Sequence, residues 1–127
     1  MELLNTKNAP QAIGPYSQAV KVNDLIYTSG QIALTPEGKM CENNIKIQTK
    51  QIFSNLKAIL EDNNSDLSQV IKINIFLINI NDFEIVNSLM IEEFGNHKPA
   101  RSTIEVKGLP KNAMIEMDLI ATITNCQ

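Results

Sequence analysis

Residues 99–117, PARSTIEVKGLPKNAMIEM, decide the fold of this chain. Arg101 and Thr103 alternate with Ser102, Ile104 and Val106, and beyond a GLPKN break Ile115 and Met117 alternate with Glu116. A period of two is the mark of a strand, so the pattern predicts two strands joined as a hairpin whose turn is centred near Leu109–Lys111. Arg101, Thr103 and Glu105 then share one face, with Ile104 and Val106 on the other. In the second strand Ala113, Ile115, Met117, Leu119, Ala121 and Ile123 form the apolar side, which turns Glu116 and Asp118 away from the core. If the two polar faces coincide, a guanidinium and one or two carboxylates occupy one surface, an arrangement suited to a small anionic substrate.

Working outward, Val70–Ile80 (VIKINIFLINI) places Ile71, Ile73, Ile75 and Leu77 on one face and mixes Lys72 and Asn74 with Phe76 and Ile78 on the other. This predicts a central strand covered on one side and partly covered on the second. A stripe of Ile45, Thr49, Ile52, Phe53, Leu56, Ile59 and Leu60 predicts a helix ending near Asn63-Asn64. Phe83–Phe94 reads as a second helix, capped by Asn81 or Asp82 and stopped by Gly95. Gln18–Val22 and Leu25–Gln31 flank Asn23-Asp24, a pair that favours a tight hairpin, and Glu2-Leu3-Leu4 can add an edge strand. Residues 33–44 carry no period and read as a loop. The resulting order, β-β-α-β-α-β-β with both helices on one face, is a two-layer α+β sandwich in one domain spanning 1–127. Its uncovered face is expected to carry Lys72, Asn74, Phe76, Ile78, Arg101, Thr103, Glu116 and Ile120, a blend too apolar for free solvent and so an expected interface.

Composition narrows the function. A net charge of −3 over 127 residues offers no basic footprint for nucleic acid. No signal-like start and no apolar run long enough for a bilayer is present, so a cytoplasmic location is expected. Cys41 and Cys126 form no CxxC and read as free thiols, and the single histidine, His97, has no cluster of ligand-type residues beside it. Neither a metal nor a cofactor is expected.

Four stretches together, PARSTIEVKGLP with the later IEM, APQAIGPYSQAV at 9–20, IYTSGQI at 26–32 and FEIVN at 83–87, resemble the RidA (YjgF, reactive intermediate deaminase) family, also called the liver perchloric-acid-soluble protein or translation-inhibitor family. The resemblance covers essentially the whole chain. It implies a chorismate-mutase-like fold assembled as a homotrimer, with sites in clefts between subunits and imine or enamine acids as substrates. Arg101, on composition alone more often a surface residue paired with Glu105 or Asp118, matches the family arginine that binds the substrate carboxylate. Glu116, otherwise a solvated strand residue, matches the glutamate that positions or activates water. Tyr16, Ser29, Gly30, Asn87 and Thr103 match positions that line the site, with Thr103 standing where many members carry a cysteine. Lys98 stands where an aromatic residue often precedes the proline.

The resemblance thus implies hydrolysis of 2-aminoacrylate, 2-iminopropanoate or 2-iminobutanoate to a 2-keto acid and ammonia, without a cofactor. A non-catalytic ligand-binding or chaperone-like role is the alternative, and an RNA-cleaving translation inhibitor ranks below it. The hairpin register puts Glu116 opposite residue 105, about four residues or ~13 Å from Arg101. The two therefore meet either through a shifted register or across subunits.

Overall fold

The computed structural model describes residues 1–124. Cys126 lies outside them. Six strands, β1 (Glu2–Leu4), β2 (Ala19–Val22), β3 (Leu25–Thr28), β4 (Val70–Leu77), β5 (Ala100–Glu105) and β6 (Ile115–Thr122), form one sheet in the order β1-β2-β3-β6-β4-β5. Helices α1 (Ile45–Glu61) and α2 (Phe83–Phe94) cover one of its faces. Both helices match their predicted spans. Asn44 caps α1 by accepting from the Ile47 amide, whereas Asp82, at the N-cap of α2, makes no side-chain cap bond. Gly95 ends α2 at φ 63°, a left-handed conformation that a β-carbon would strain.

The two strands of the 99–117 segment are not a hairpin. Strand β5 runs parallel to β4, pairing Ile73 with Arg101 and Ile75 with Thr103, while β6 pairs antiparallel with the opposite edge of β4. Helix α2 is the crossover that makes the parallel neighbour possible. The GLPKN segment, read as a tight turn, instead carries the chain past β4 through left-handed backbone at Lys111 and Asn112, φ 56° and 55°. A bulge between Val70 and Lys72 breaks the expected face of β4: Ile71 is 46% exposed, whereas Ile73, Ile75 and Leu77 are buried. Strand β4 also ends at Leu77 rather than running to Ile80.

The core lies between the helices and the sheet. Ile52, Phe53, Leu56, Ile59 and Leu60 of α1 are fully buried against Ile73, Leu77, Ile115 and Met117, and each such side chain contributes about 1.5–3 kcal/mol by leaving water. Phe53 meets Phe94 edge to face at 5.9 Å, and Lys57 pairs with Glu93 at 3.2 Å, joining α1 to α2. Three buried amides fasten the loops to this core. Gln18 accepts from the Thr6 amide and donates to the carbonyls of Thr6 and Pro10. Gln48 bridges the Glu42 carbonyl and the Met114 amide, and Asn55 donates to the Leu34 carbonyl.

On the uncovered face the paired residues Val20 and Tyr27 adjoin Ile120, and Phe76 adjoins Ile104, with Tyr27 39% and Ile104 49% exposed. Leu3, opposite Val20, is 65% exposed. No helix among the described residues is long and apolar enough to cross a membrane.

Candidate functional site

Paired residues on adjacent strands point to the same side of a sheet and successive residues to opposite sides. Arg101 is level with the buried Ile73 and Glu116 with Phe76 of the uncovered face, so the two side chains leave the sheet in opposite directions. They are also two strands apart, roughly 10 Å across the sheet and about 10 Å along it. The expectation that cation and carboxylate share a surface within one chain, with Thr103 beside them on the uncovered face, is therefore corrected: Arg101 and Thr103 face the helical layer, and Glu116 does not. The cause is β4, inserted between the strands that the sequence joins directly. The candidate residues separate into two depressions.

The first lies between α2 and the edge strand β5, encloses about 420 Å³, and contains Asn87, Met90, His97, Lys98 and Arg101 among its walls. Arg101 is exposed, yet its guanidinium is held. Its Nη1 donates to Asn87 Oδ1 and, weakly, to Met90 Sδ at 3.6 Å, and its Cζ lies 4.9 Å from the centroid of the Phe83 ring. It pairs with neither Glu105, whose carboxylate accepts from the Ile80 amide, nor Asp118, which accepts from Asn74. A planar fork fixed by a neutral amide and an aromatic face keeps the remaining donors free for a carboxylate. Asn87 thus belongs here as the group that aims the arginine. Two residues along β5, Thr103 has a buried hydroxyl oxygen without a hydrogen-bond partner. His97 donates from Nε2 to the Val70 carbonyl, 2.7 Å away, which ties down the 97–99 loop.

The second depression, about 500 Å³, is lined by Tyr16, Gly30, Gln31, Lys111 and Glu116 together with residues 10–13. Gln31 exchanges backbone bonds with Met117, 2.7 and 3.1 Å, which presses the TSGQ segment against β6 beside Glu116. Ser29 lies at the strand end as the glycine pattern suggests. Its hydroxyl donates to the Ser17 carbonyl at 2.5 Å and its amide to the Gln18 carbonyl, so it fastens the Tyr16 loop. Tyr16 is 55% exposed and contributes to the wall. Glu116 is half-buried, and its carboxyl is pushed above the ordinary glutamate value, first by desolvation and then by the neighbouring charge of Asp118. A carboxylate tuned upward in this way is a better proton acceptor near neutrality.

The contribution of Asn74 is one that sequence reading missed: its amide donates to Asp118 at 2.8 Å and fixes the charge that acts on Glu116. Their cross-strand pairing would have disclosed it, but only once β4 and β6 are known to be neighbours.

Comparison with known proteins identifies the family. The model of the family described as Endoribonuclease L-PSP matches residues 6–123. A RutC family protein of Pyrococcus abyssi is 46% identical over 121 residues, 94% of this chain and 95% of its own. A Dermatophagoides farinae protein named 2-iminobutanoate/2-iminopropanoate deaminase is 44% identical over 122 residues, 95% of each chain. The crystal structure of E. coli TdcF with bound serine superposes with a TM-score of 0.91 at 32% identity, covering 98% of this chain and all of the other. With a family match over nearly its whole length and relatives close to half identical, the chain belongs to the Endoribonuclease L-PSP family, known also as RidA or YjgF.

Proposed function

We propose that this protein hydrolyses reactive 2-imino acids and their enamine tautomers, such as 2-aminoacrylate, 2-iminopropanoate and 2-iminobutanoate, to 2-keto acids and ammonia. The observation that carries the reading is the division of the site: an oriented arginine without a carboxylate partner in one depression, and a half-buried carboxylate with a raised pKa in the other. Neither half is sufficient. Two copies of the chain, placed so that the Arg101 depression of one faces the Glu116 depression of the next, assemble the complete site, and a ring of three copies closes the arrangement. The apolar residues on the uncovered sheet face support such an assembly.

In the assembled site Arg101 binds the substrate carboxylate through two parallel hydrogen bonds. Tyr16 and the Gly30 backbone hold the planar substrate over Glu116. Glu116 takes a proton from water as the water oxygen bonds to the imine carbon and returns it to the nitrogen, giving a carbinolamine; the carbinolamine hydroxyl then passes its proton by way of Glu116 to the amine, the C–N bond breaks as the C=O forms, and ammonia leaves with the keto acid. The enamine enters by protonation at its terminal carbon. Water is the only co-reactant, and the setting is the cytoplasm. Binding of a carboxylate ligand without turnover uses the same Arg101 fork and is the rival reading.

A coupled assay tests the choice. A threonine dehydratase generates 2-iminobutanoate, and keto-acid release is timed with and without the protein. Acceleration proportional to protein concentration is expected, and release at the uncatalysed rate, with keto-acid binding retained, would leave the binding role alone.

A further inference from the structure

The Arg101 depression has an electrostatic character at odds with a chain of net charge −3. Its lining includes Lys98 and Arg101, with His97 beside them, and not one aspartate or glutamate. Among the described residues the ion pair found is Lys57–Glu93, so neither Lys98 nor Arg101 is neutralised by a carboxylate. Much of the remaining lining is apolar, contributed by Met90, Ile91, Phe94 and Pro99. Lys98 is exposed, but the loop that carries it is fixed on both sides, by the His97 ring on the Val70 carbonyl and by the entry of β5 at Ala100.

Two unpaired cations lining one largely apolar depression match a short chain with a carboxylate at each end. A monocarboxylic imine uses only one of them. We infer that Lys98 is a specificity-determining residue and that the site favours 2-imino and 2-keto acids bearing a second carboxylate, four- or five-carbon diacids, over their monocarboxylic counterparts. Arg101 takes the carboxylate next to the reacting carbon, the methylenes lie against the apolar lining, and the Lys98 ammonium takes the distal carboxylate as a compact point charge. The inference rests on the proposed reading of this site, but its test needs no turnover.

Calorimetry on the full-length protein compares 2-ketoglutarate with 2-ketobutyrate, and then repeats the pair with Lys98→Met, which keeps the aliphatic stem and removes the charge. The diacid is expected to bind ~5-fold more tightly, the worth of one solvent-accessible charge pair. In Lys98→Met that ratio should fall to about one, and the wild-type preference should shrink as salt is raised. Equal affinities in the wild type, a preference for the monoacid, a ratio unchanged by Lys98→Met, or no binding of either acid would each overturn the inference. A diacid preference that depends on Lys98 supports it even if no imine is hydrolysed, an outcome that would count against the hydrolase reading alone.

Discussion

Gly30 leaves open the space that the carboxylate of Glu116 occupies. A β-carbon at position 30 would collide with the Glu116 Oε2 and lie within 2.8 Å of its carboxyl carbon. What would have to move is the end of a flexible side chain, not backbone, and Gly30 is not in left-handed conformation. Gly30→Ala is therefore expected to fold with a melting temperature within a few degrees of the parent while displacing the carboxylate. Imine hydrolysis should fall by at least about ten-fold. Thermal melts beside the coupled assay check both halves, and unimpaired turnover would detach Glu116 from the reaction.

Arg101→Lys keeps the charge but loses the fork, the Asn87 bond and the stacking on Phe83. Loss of kcat/KM by about 10²-fold is expected, equivalent to ~3 kcal/mol. Stability should be nearly unchanged, because the residue is exposed on an edge strand. A kcat/KM within two-fold of the parent would rule out the clamp.

Glu116→Gln preserves shape but cannot accept a proton. Turnover is expected to drop by about 10²–10³-fold, with keto-acid affinity kept within a few-fold. Calorimetry with 2-ketobutyrate separates the two. Parallel loss of binding would make Glu116 a binding group instead.

The pH dependence follows from the raised pKa of Glu116. Only the ionised carboxylate accepts a proton, so activity should fall as pH drops through a value above the ordinary glutamate range. Asp118→Asn removes the neighbouring charge but not the desolvation, and should move that acid limb part of the way down. For stability the sign is the reverse of that for a salt-bridged acid: between the unfolded and folded pKa values the native state binds the extra proton, so Glu116 lowers stability as pH rises through this window. Asp62, held below its ordinary value by hydrogen bonds from Thr6 and then Asn8, acts oppositely, and its contribution is lost as pH falls through its folded pKa. Glu116→Gln should accordingly melt slightly higher than the parent at neutral pH, and an unchanged or lower melting temperature would contradict the desolvation.

Under the proposed assembly, in which Arg101 and Glu116 leave opposite faces of one sheet toward different neighbours, two defective chains are expected to repair each other. Arg101→Lys supplies intact Glu116 depressions and Glu116→Gln supplies intact Arg101 depressions. Co-expressed at equal levels and mixed at random, they should regain roughly one quarter of the parental activity, since both donors are intact at one junction in four. Light scattering should give about three times the 14.2 kDa chain mass. Mixed assemblies as inactive as either variant alone, or a monomeric mass, would show that the site is not shared.

The helices were legible because their burial has a 3.6-residue period written by one side of a local segment: Ile45, Ile52, Phe53, Leu56 and Ile59 needed no knowledge of partners. Strand faces were legible for β6 for the same reason, with Ile115, Met117, Leu119 and Ala121 all buried. Strand neighbours were not, since a period of two fits any partner in either direction. Hence β5 was joined to β6 when α2 had already carried it to the far edge of β4. The bulge at Ile71 escaped for a related reason: one extra residue is defined against the partner strand, not by its own identity. Of the site, the residue types were legible from four motifs, but their distribution between two faces depended on that same strand order. Ser29 illustrates the limit: it lies at the strand end, and its hydroxyl is occupied by the Ser17 carbonyl.

Gln18, Gln48 and Asn55 hold the loops around the Glu116 depression with hydrogen bonds of the kind that secondary structure supplies. Each replaces a missing backbone partner with a buried side-chain amide, so the Thr6 and Met114 amides are sealed although neither residue lies in a helix or strand. Their deuterium uptake should track global unfolding rather than local breathing. A wall that opens only when the whole domain opens has little reorganisation left to do when a short-lived electrophile arrives. Its geometry is set at folding, not at the encounter.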